Sequence, residues 1–344
     1  MSGCWVIALL ACVLASPAPA GAAPARAPQL PPGFAAARAA VVADGREVAR
    51  LVVAGNAARI YARFTPALAR QVPRAQVEKV LRDTLASAPI GDRMGESALP
   101  LKGNGRAYTA DHRWGSRALT LQVSFAADGD ISGINLAPRK ALAPDPNAGR
   151  SLRARLSLPF TEQWLVFWGG PSERQNYHVI APDQRHANDF VAWRDGSTHR
   201  GAGTRNADYH AWGREILAPA DARVVEAVDG VRDNRPQIEV QNPRDPAGNH
   251  VVLDLGGGEY ALLAHLQKGT VRVRKGQRVR RGDVLGRCGN SGNSSEPHLH
   301  FHLQDGPELF GDAKGVPLAF SDYRVNGELA MRGTPVQGQF LRPR

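Results

Sequence analysis

The period of the apolar positions changes along the chain. Between Phe34 and Gly55 (FAAARAAVVADGREVARLVVAG) apolar residues recur at helical spacing. Thr65-Pro66 reads as an N-cap followed by proline at the first helical position, and a further helix is expected from Arg74 to Ala86. The pattern then alternates. ALTLQVSFAADGDISGINLAP reads as a strand, an Asp-Gly turn at Asp128-Gly129 and a second strand. Residues 35–140 are thus expected to form a small α+β domain, and 141–151 (ALAPDPNAGRS) a linker. From Leu152 onward, short alternating strands recur between Gly, Pro, Asn and Asp turns: EQWLVFWGG, NYHVI, HANDFVAW, ARVVEAVDG, QIEVQN, NHVVLDLGGGEYALLAHL, DVLGRC and HLHFHLQ. The expected fold class is mainly β, with an antiparallel β-sheet domain over 152–344 and a smaller N-terminal α+β domain.

Length and composition agree with this division. A chain of 344 residues suggests about two domains, and 43% hydrophobic with 22% charged residues excludes a wholly disordered chain. The net charge is +11, but the basic residues, nearly all Arg, are scattered and form no basic helix or aromatic-interleaved strand. No nucleic-acid partner is therefore expected. At the N-terminus, the apolar stretch Trp5–Ala15 is shorter than the about 20 residues that span a bilayer. Small residues follow, with cleavage sites after Ala20 or Ala22, so residues 1–22 read as a secretory signal peptide, though its start carries no Lys or Arg. No other segment is long and apolar enough for a stable membrane span. Of the 3 cysteines, Cys4 and Cys12 would leave with the signal, so Cys288 has no intramolecular disulfide partner. In GRCGNSGN it reads as a small turn or core residue. An exported chain without disulfides relies on its core, or on a metal.

Of the 10 histidines, all but His112 fall between residues 178 and 302, and His112, in ADHRWG, reads as exposed and structural. In PHLHFHLQ, His298, His300 and His302 alternate with Leu299, Phe301 and Leu303. A strand puts the three imidazoles on one face and the apolar side chains in the core. His265 ends a second strand, EYALLAH. In NYHVIAPDQRHANDF, Pro182-Asp183 is a turn signal, so 177–181 and 184–190 can form a hairpin. A loop of even length puts His178 on the face that carries Asp189 and turns His186 away; an odd loop reverses that parity. Imidazoles and a carboxylate suit zinc, which at a catalytic site takes three protein ligands and lowers the pKa of a water in the fourth position. Two further histidines can hold that water, move its proton and stabilise an oxyanion.

From Trp164 to Gln304 the motifs resemble the lysostaphin-type (LytM-like) zinc endopeptidases that cut peptidoglycan cross-bridges. GREILAPADARVVEAVDG is similar to that family's strand–Ala-Pro–turn–strand signature. GNHVVLDLGGGEYALLAHL is similar to its segment leading into a Tyr-x-x-x-x-His-Leu strand, and VRKGQRVRRGDVLGRCGNSGNSSEPHLHFHL to its Gly-Asp turn, Gly-Asn-Ser-Gly loop and H-L-H-F strand. The resemblance implies that His300 and Asp189 ligate one zinc ion per chain. It makes His298 a catalytic base or transition-state stabiliser and His265 its partner. It also implies an exported enzyme, periplasmic or secreted, that hydrolyses peptide bonds of peptidoglycan peptides; the alternative is an inactive relative that binds wall or activates another hydrolase. The usual His-x-x-x-Asp pattern is broken, because Arg185 stands four residues before Asp189. His178 and His186 are the two candidates for the remaining ligand, with the hairpin argument favouring His178. His302 also departs from the pattern, and reads as lying behind the ligands or exposed. His199, His210 and His250 match no ligand position and read as loop or surface residues. The region before the linker weakly resembles small α+β domains found ahead of such peptidases.

Overall fold

The computed structural model describes residues 33–100, 106–139, 142–237 and 242–344. The signal-peptide reading of 1–22, and the strand read in QIEVQN over 238–241, lie outside the described residues. Among these residues, no helix is long and apolar enough to cross a membrane.

The N-terminal part is built from α1 (Phe34–Val53), α2 (Ala57–Tyr61), α3 (Pro66–Gln71) and α4 (Arg74–Ser87), followed by β1 (Ile90–Pro100), β2 (Arg106–Trp114), β3 (Arg117–Phe125) and β4 (Ile131–Pro138). The strands form an antiparallel meander in chain order. Thr65 caps α3 by accepting from Leu68 N at 3.3 Å, with Pro66 in the first helical position. The apolar stripe of α1, including Val41, Val48 and Val52, packs on the sheet around Tyr108, Leu121 and Phe125. Gly45 lies within that stripe. A Cβ there would sit 2.1 Å from Tyr108 Cγ, so the helix approaches this fully buried ring only because residue 45 has no side chain. Strands β1 and β2 were not among the expected elements. The pairing of β1 with β2 slips between Ile90 and Arg93 and again between Arg93 and Gly95, and those irregularities break the alternation that would reveal β1.

The C-terminal part contains β5 (Trp164–Trp168), β6 (Asn188–Val191), β7 (Glu215–Leu217), β8 (Ala222–Val228), β9 (Asn249–Asp254), β10 (Tyr260–Leu266), β11 (Arg278–Val279), β12 (Val284–Arg287), β13 (Leu299–Gln304), β14 (Gly315–Val316), β15 (Phe320–Val325), β16 (Glu328–Gly333) and β17 (Phe340–Pro343). One large sheet runs β11-β8-β9-β10-β13-β6-β5-β17-β15-β16, with β14 beside β13; β12 and β7 form a separate pair. All the strand pairs are antiparallel, so the molecule is mainly β, as the pattern predicts. Its core gathers Phe160, Trp164, Phe190, Leu263, Phe301 and Phe320. Cys288 is buried in this core, and burial raises its thiol pKa well above the ordinary value.

Two expectations about this part are corrected. NYHVI is not a strand: Tyr177–Ile180 is a single 3-10 turn, with Asn176 accepting from His178 N at 3.2 Å. It does not pair with the Asp189 strand, because both edges of β6 are taken, by β5 and β13. The strands after Val316 were not foreseen. The stretch read as a linker lies against the C-terminal part: buried Asn147 donates to Asp305 at 3.0 Å and to Gly315 O at 3.1 Å. At the other end of the N-terminal part, Phe34 packs edge-on against Trp193 and Phe340.

Candidate metal centre

Three neighbouring strands bring the site together. In β13, Leu299, Phe301 and Leu303 point into the core, and His300 and His302 occupy the opposite face. His300 pairs with Asp189 of β6 on one side and with Ala264 of β10 on the other. The small Ala264 side chain leaves room over the sheet. The 3-10 turn then delivers His178 from above, so that ligand-type atoms of His178, Asp189 and His300 all lie within 4.8 Å of one another. All three residues are buried.

The hydrogen-bond network favours one set of tautomers. The Gln304 amide donates to Gly306 O at 2.7 Å and to Glu308 O at 3.0 Å, so its oxygen is the acceptor facing His302 Nε2 at 3.0 Å. His302 Nε2 therefore carries its hydrogen. Burial, with His300 adding to it, lowers the His302 pKa to about 3, so the ring is neutral and Nδ1 has a lone pair. His300 Nε2 donates to that lone pair at 2.8 Å. In neutral His300, Nδ1 is then bare, 2.9 Å from Asp189 Oδ1. A second chain of bonds acts on His178. The Asn176 amide donates to Ala187 O at 3.0 Å, and its oxygen accepts from His178 Nδ1 at 2.8 Å. Burial lowers the His178 pKa to about 4, against the opposing pull of Asp189. Its bare Nε2 faces Asp189 Oδ2 at 3.7 Å. Burial would raise the Asp189 pKa, but the surrounding imidazoles in their protonated forms, His178 foremost, outweigh it and lower it.

In these tautomers two imidazole nitrogens and a carboxylate converge on one point. Such acceptors repel unless a cation lies among them. Two nitrogens and an oxygen donor match what zinc takes, and the groups behind the rings are of the kind that orient metal-binding histidines. The donor set therefore fits a zinc ion.

Beside this group stand the other two predicted histidines. His298 Nδ1 donates to Glu296 O at 2.9 Å, and its Nε2 lies 3.8 Å from Asp189 Oδ1. His265 Nδ1 donates to Ser291 O at 2.8 Å, and its ring lies 4.7 Å from that of His298 and 5.8 Å from that of His300. His265 sits where the pairing of β10 with β9 shifts, with φ of 61°, a left-handed conformation that is strained for a histidine. Burial holds its pKa well below the ordinary value, so it is neutral. A cavity of about 230 Å³ opens over the rings, bordered by Tyr177, Ile180, Leu262 and Phe310.

The remaining histidines lie elsewhere. His186 faces Asp145 at 2.9 Å, and Arg185 donates to Ala143 O at 2.7 Å. His302 is buried behind His300, not exposed. His112 is also buried, with Nδ1 3.2 Å from Gly91 O. His250 is a buried strand residue rather than a surface one, with Nδ1 donating to Gly248 O at 2.8 Å. The sequence reading missed Asn176 and Gln304. Gln304 was within reach of it, since it continues the alternation through 298, 300 and 302.

Glu296 adds a pH-dependent feature. Burial pushes its carboxyl up from 4.5 to about 7, with only the Thr198 hydroxyl, at 3.2 Å, opposing. The folded state therefore holds this proton more tightly than the unfolded chain. The resulting stability is fully present below pH 4.5 and is lost as pH rises through 7. Relative to Glu296→Gln, the wild-type chain should lose on the order of 3 kcal/mol between pH 4.5 and 8. Denaturant titrations of both proteins at the two pH values measure this, and parallel pH profiles would refute it.

Residues 203–311 match the model of peptidase family M23. That span contains His265, His298 and His300 and begins after His178 and Asp189. Among curated proteins, the chain is 34% identical over 91 residues to the peptidoglycan DD-endopeptidase ShyA of Vibrio cholerae, covering 26% of this chain and 19% of that protein. It is 32% identical over 121 residues to the cell division protein DipM of Caulobacter vibrioides, covering 35% of this chain and 18% of that one. These matches span less than a fifth of each relative. Among solved structures, a zinc-containing peptidase from Vibrio cholerae aligns at 19% identity and a TM-score of 0.29, over 57% of this chain and 53% of that one. The chain's similarity to peptidase family M23 is thus carried by residues 203–311, the span that holds His265, His298 and His300.

Proposed function

We propose that the chain is an exported zinc-dependent endopeptidase, periplasmic or secreted, that hydrolyses peptide bonds of peptidoglycan. In this reading 152–344 is the peptidase domain, 35–140 an accessory α+β domain, and one zinc ion is held by His178, Asp189 and His300. The observation that carries the proposal is the convergence of the ligand-type atoms of His178, Asp189 and His300 beside His298 and His265, whose Nδ1 atoms are tied to backbone carbonyls. Bound zinc supplies Lewis acidity, which brings the pKa of a water towards neutrality and polarises a scissile carbonyl. The protein's own groups do the rest. His298 Nε2 takes the proton of the attacking water and later returns it to the leaving amine. Its Nδ1–H, anchored on Glu296 O, holds the ring in the tautomer that leaves Nε2 free. His265, anchored on Ser291 O, offers a second acceptor to the same water. The cavity rim positions the substrate backbone. A net charge of +11 favours contact with anionic wall polymers, an attraction that salt weakens.

Digestion of purified peptidoglycan tests the proposal. The full chain should release new amino groups, stop on chelation and resume on adding zinc. Binding to the wall without release of amino groups, at any zinc level, would mark an inactive wall-binding relative instead.

A further inference from the structure

The segment leading to His178 is folded on itself. Gly169 N donates to Gln175 O at 3.0 Å, and Asn176 N to Ser172 O at 2.9 Å. The N-terminal sheet grips this loop at two points. Asp111 of β2, with its side chain only 3% exposed, takes the Arg174 guanidinium at 2.6 Å; its other oxygen accepts from Thr120 at 2.8 Å. The guanidinium fits because Gly95 is the residue paired with Asp111 across the sheet: a Cβ at 95 would stand 2.6 Å from Arg174 Cζ. At the start of the loop, Ser97 of β1 donates to the Gln337 side-chain oxygen. Gln337 N in turn donates to Gly169 O at 2.8 Å.

We propose that the N-terminal sheet sets the position of His178, with Asp111 and Gly95 as positioning residues acting through Arg174. Two residues after Arg174 comes Asn176, whose side chain holds both the backbone and the Nδ1 of His178. A loop released at Arg174 moves Asn176, and with it the direction of the His178 lone pair. A charge-assisted bond to a buried carboxylate is strong and geometrically specific. Placing it on a different part of the fold makes the metal centre depend on the docking of the N-terminal part. This proposal rests on the reading of His178 as a zinc ligand.

The test uses the full chain and four variants: Arg174→Met, Arg174→Lys, Gly95→Val, and the double Asp111→Asn/Arg174→Met. Gly95→Val closes the notch while leaving both charges in place. Two properties are measured: the zinc dissociation constant by chelator competition, and amide hydrogen exchange in the metal-free protein. Groups that orient metal ligands are each worth about 10–100-fold in affinity. Arg174→Met and Gly95→Val should weaken zinc binding by that factor and speed exchange at Asn176, Val179 and Ala181, with β10 and β13 unchanged. Arg174→Lys should recover part of the loss, and the double variant should be no worse than Arg174→Met alone. Zinc affinity within about twofold of wild type in Arg174→Met, with the loop amides equally protected, would overturn the proposal. So would a clearly larger loss of zinc affinity in the double variant than in Arg174→Met alone. If the wild-type chain takes up no zinc, the zinc reading fails, and exchange at the loop amides still decides whether the clamp exists.

Discussion

A chain carrying His178→Ala is expected to lose its zinc, and one carrying His186→Ala to keep it. Either histidine could complete the site on sequence grounds, because Arg185 occupies the usual ligand position. The fold separates them. His178 Nε2 is bare and faces the Asp189 carboxylate, whereas His186 Nε2 is engaged with Asp145. Lewis-acid stabilisation is worth several kcal/mol, and each 1.36 kcal/mol is tenfold in rate. Peptidase activity in His178→Ala should therefore fall by about a thousandfold or more. His186→Ala removes a side-chain hydrogen bond to Asp145 at a partly exposed position, worth about 1 kcal/mol of stability. Metal content by mass spectrometry and peptide release from peptidoglycan read out both variants. Zinc retained in His178→Ala, or lost in His186→Ala, would reverse the assignment.

His298→Ala should separate catalysis from metal binding. His298 Nε2 lies near Asp189 but is absent from the converging triad, and its Nδ1 is tied to backbone. Loss of a positioned general base costs about 10²–10⁴-fold in rate. The expected result is a fall of that size in kcat, with zinc content unchanged and KM little altered. Zinc lost together with activity would make His298 a ligand instead.

Much of this site is legible from alternation alone. The period of two through 298, 300 and 302 places the imidazoles on one face, and the structure puts the intervening Leu and Phe in the core. Asp189 opposite His300 is a matter of strand pairing, which one strand's pattern does not contain. The juxtaposition of His178 and Asp189 came from a hairpin that does not exist. A 3-10 turn capped by Asn176 does that work, and a single turn has no periodicity to read. The buried states of His112 and His250 were missed for a related reason. Each bonds a backbone carbonyl within its own part of the fold, so a polar residue enters the interior without a partner visible in the sequence. The N-terminal helices, by contrast, announce themselves through a Thr-Pro cap and an apolar stripe. The dependence of the His178 loop on Asp111 joins residues 63 positions apart and has no local signature.

The most direct test of the central claim is anomalous X-ray scattering at the zinc edge from crystals of the full chain. The expected result is one zinc peak, bounded by His178 Nε2, the Asp189 carboxylate and His300 Nδ1. An absence of zinc at those three atoms in zinc-supplemented protein, or a zinc peak between His186 and Asp145 instead, would contradict it.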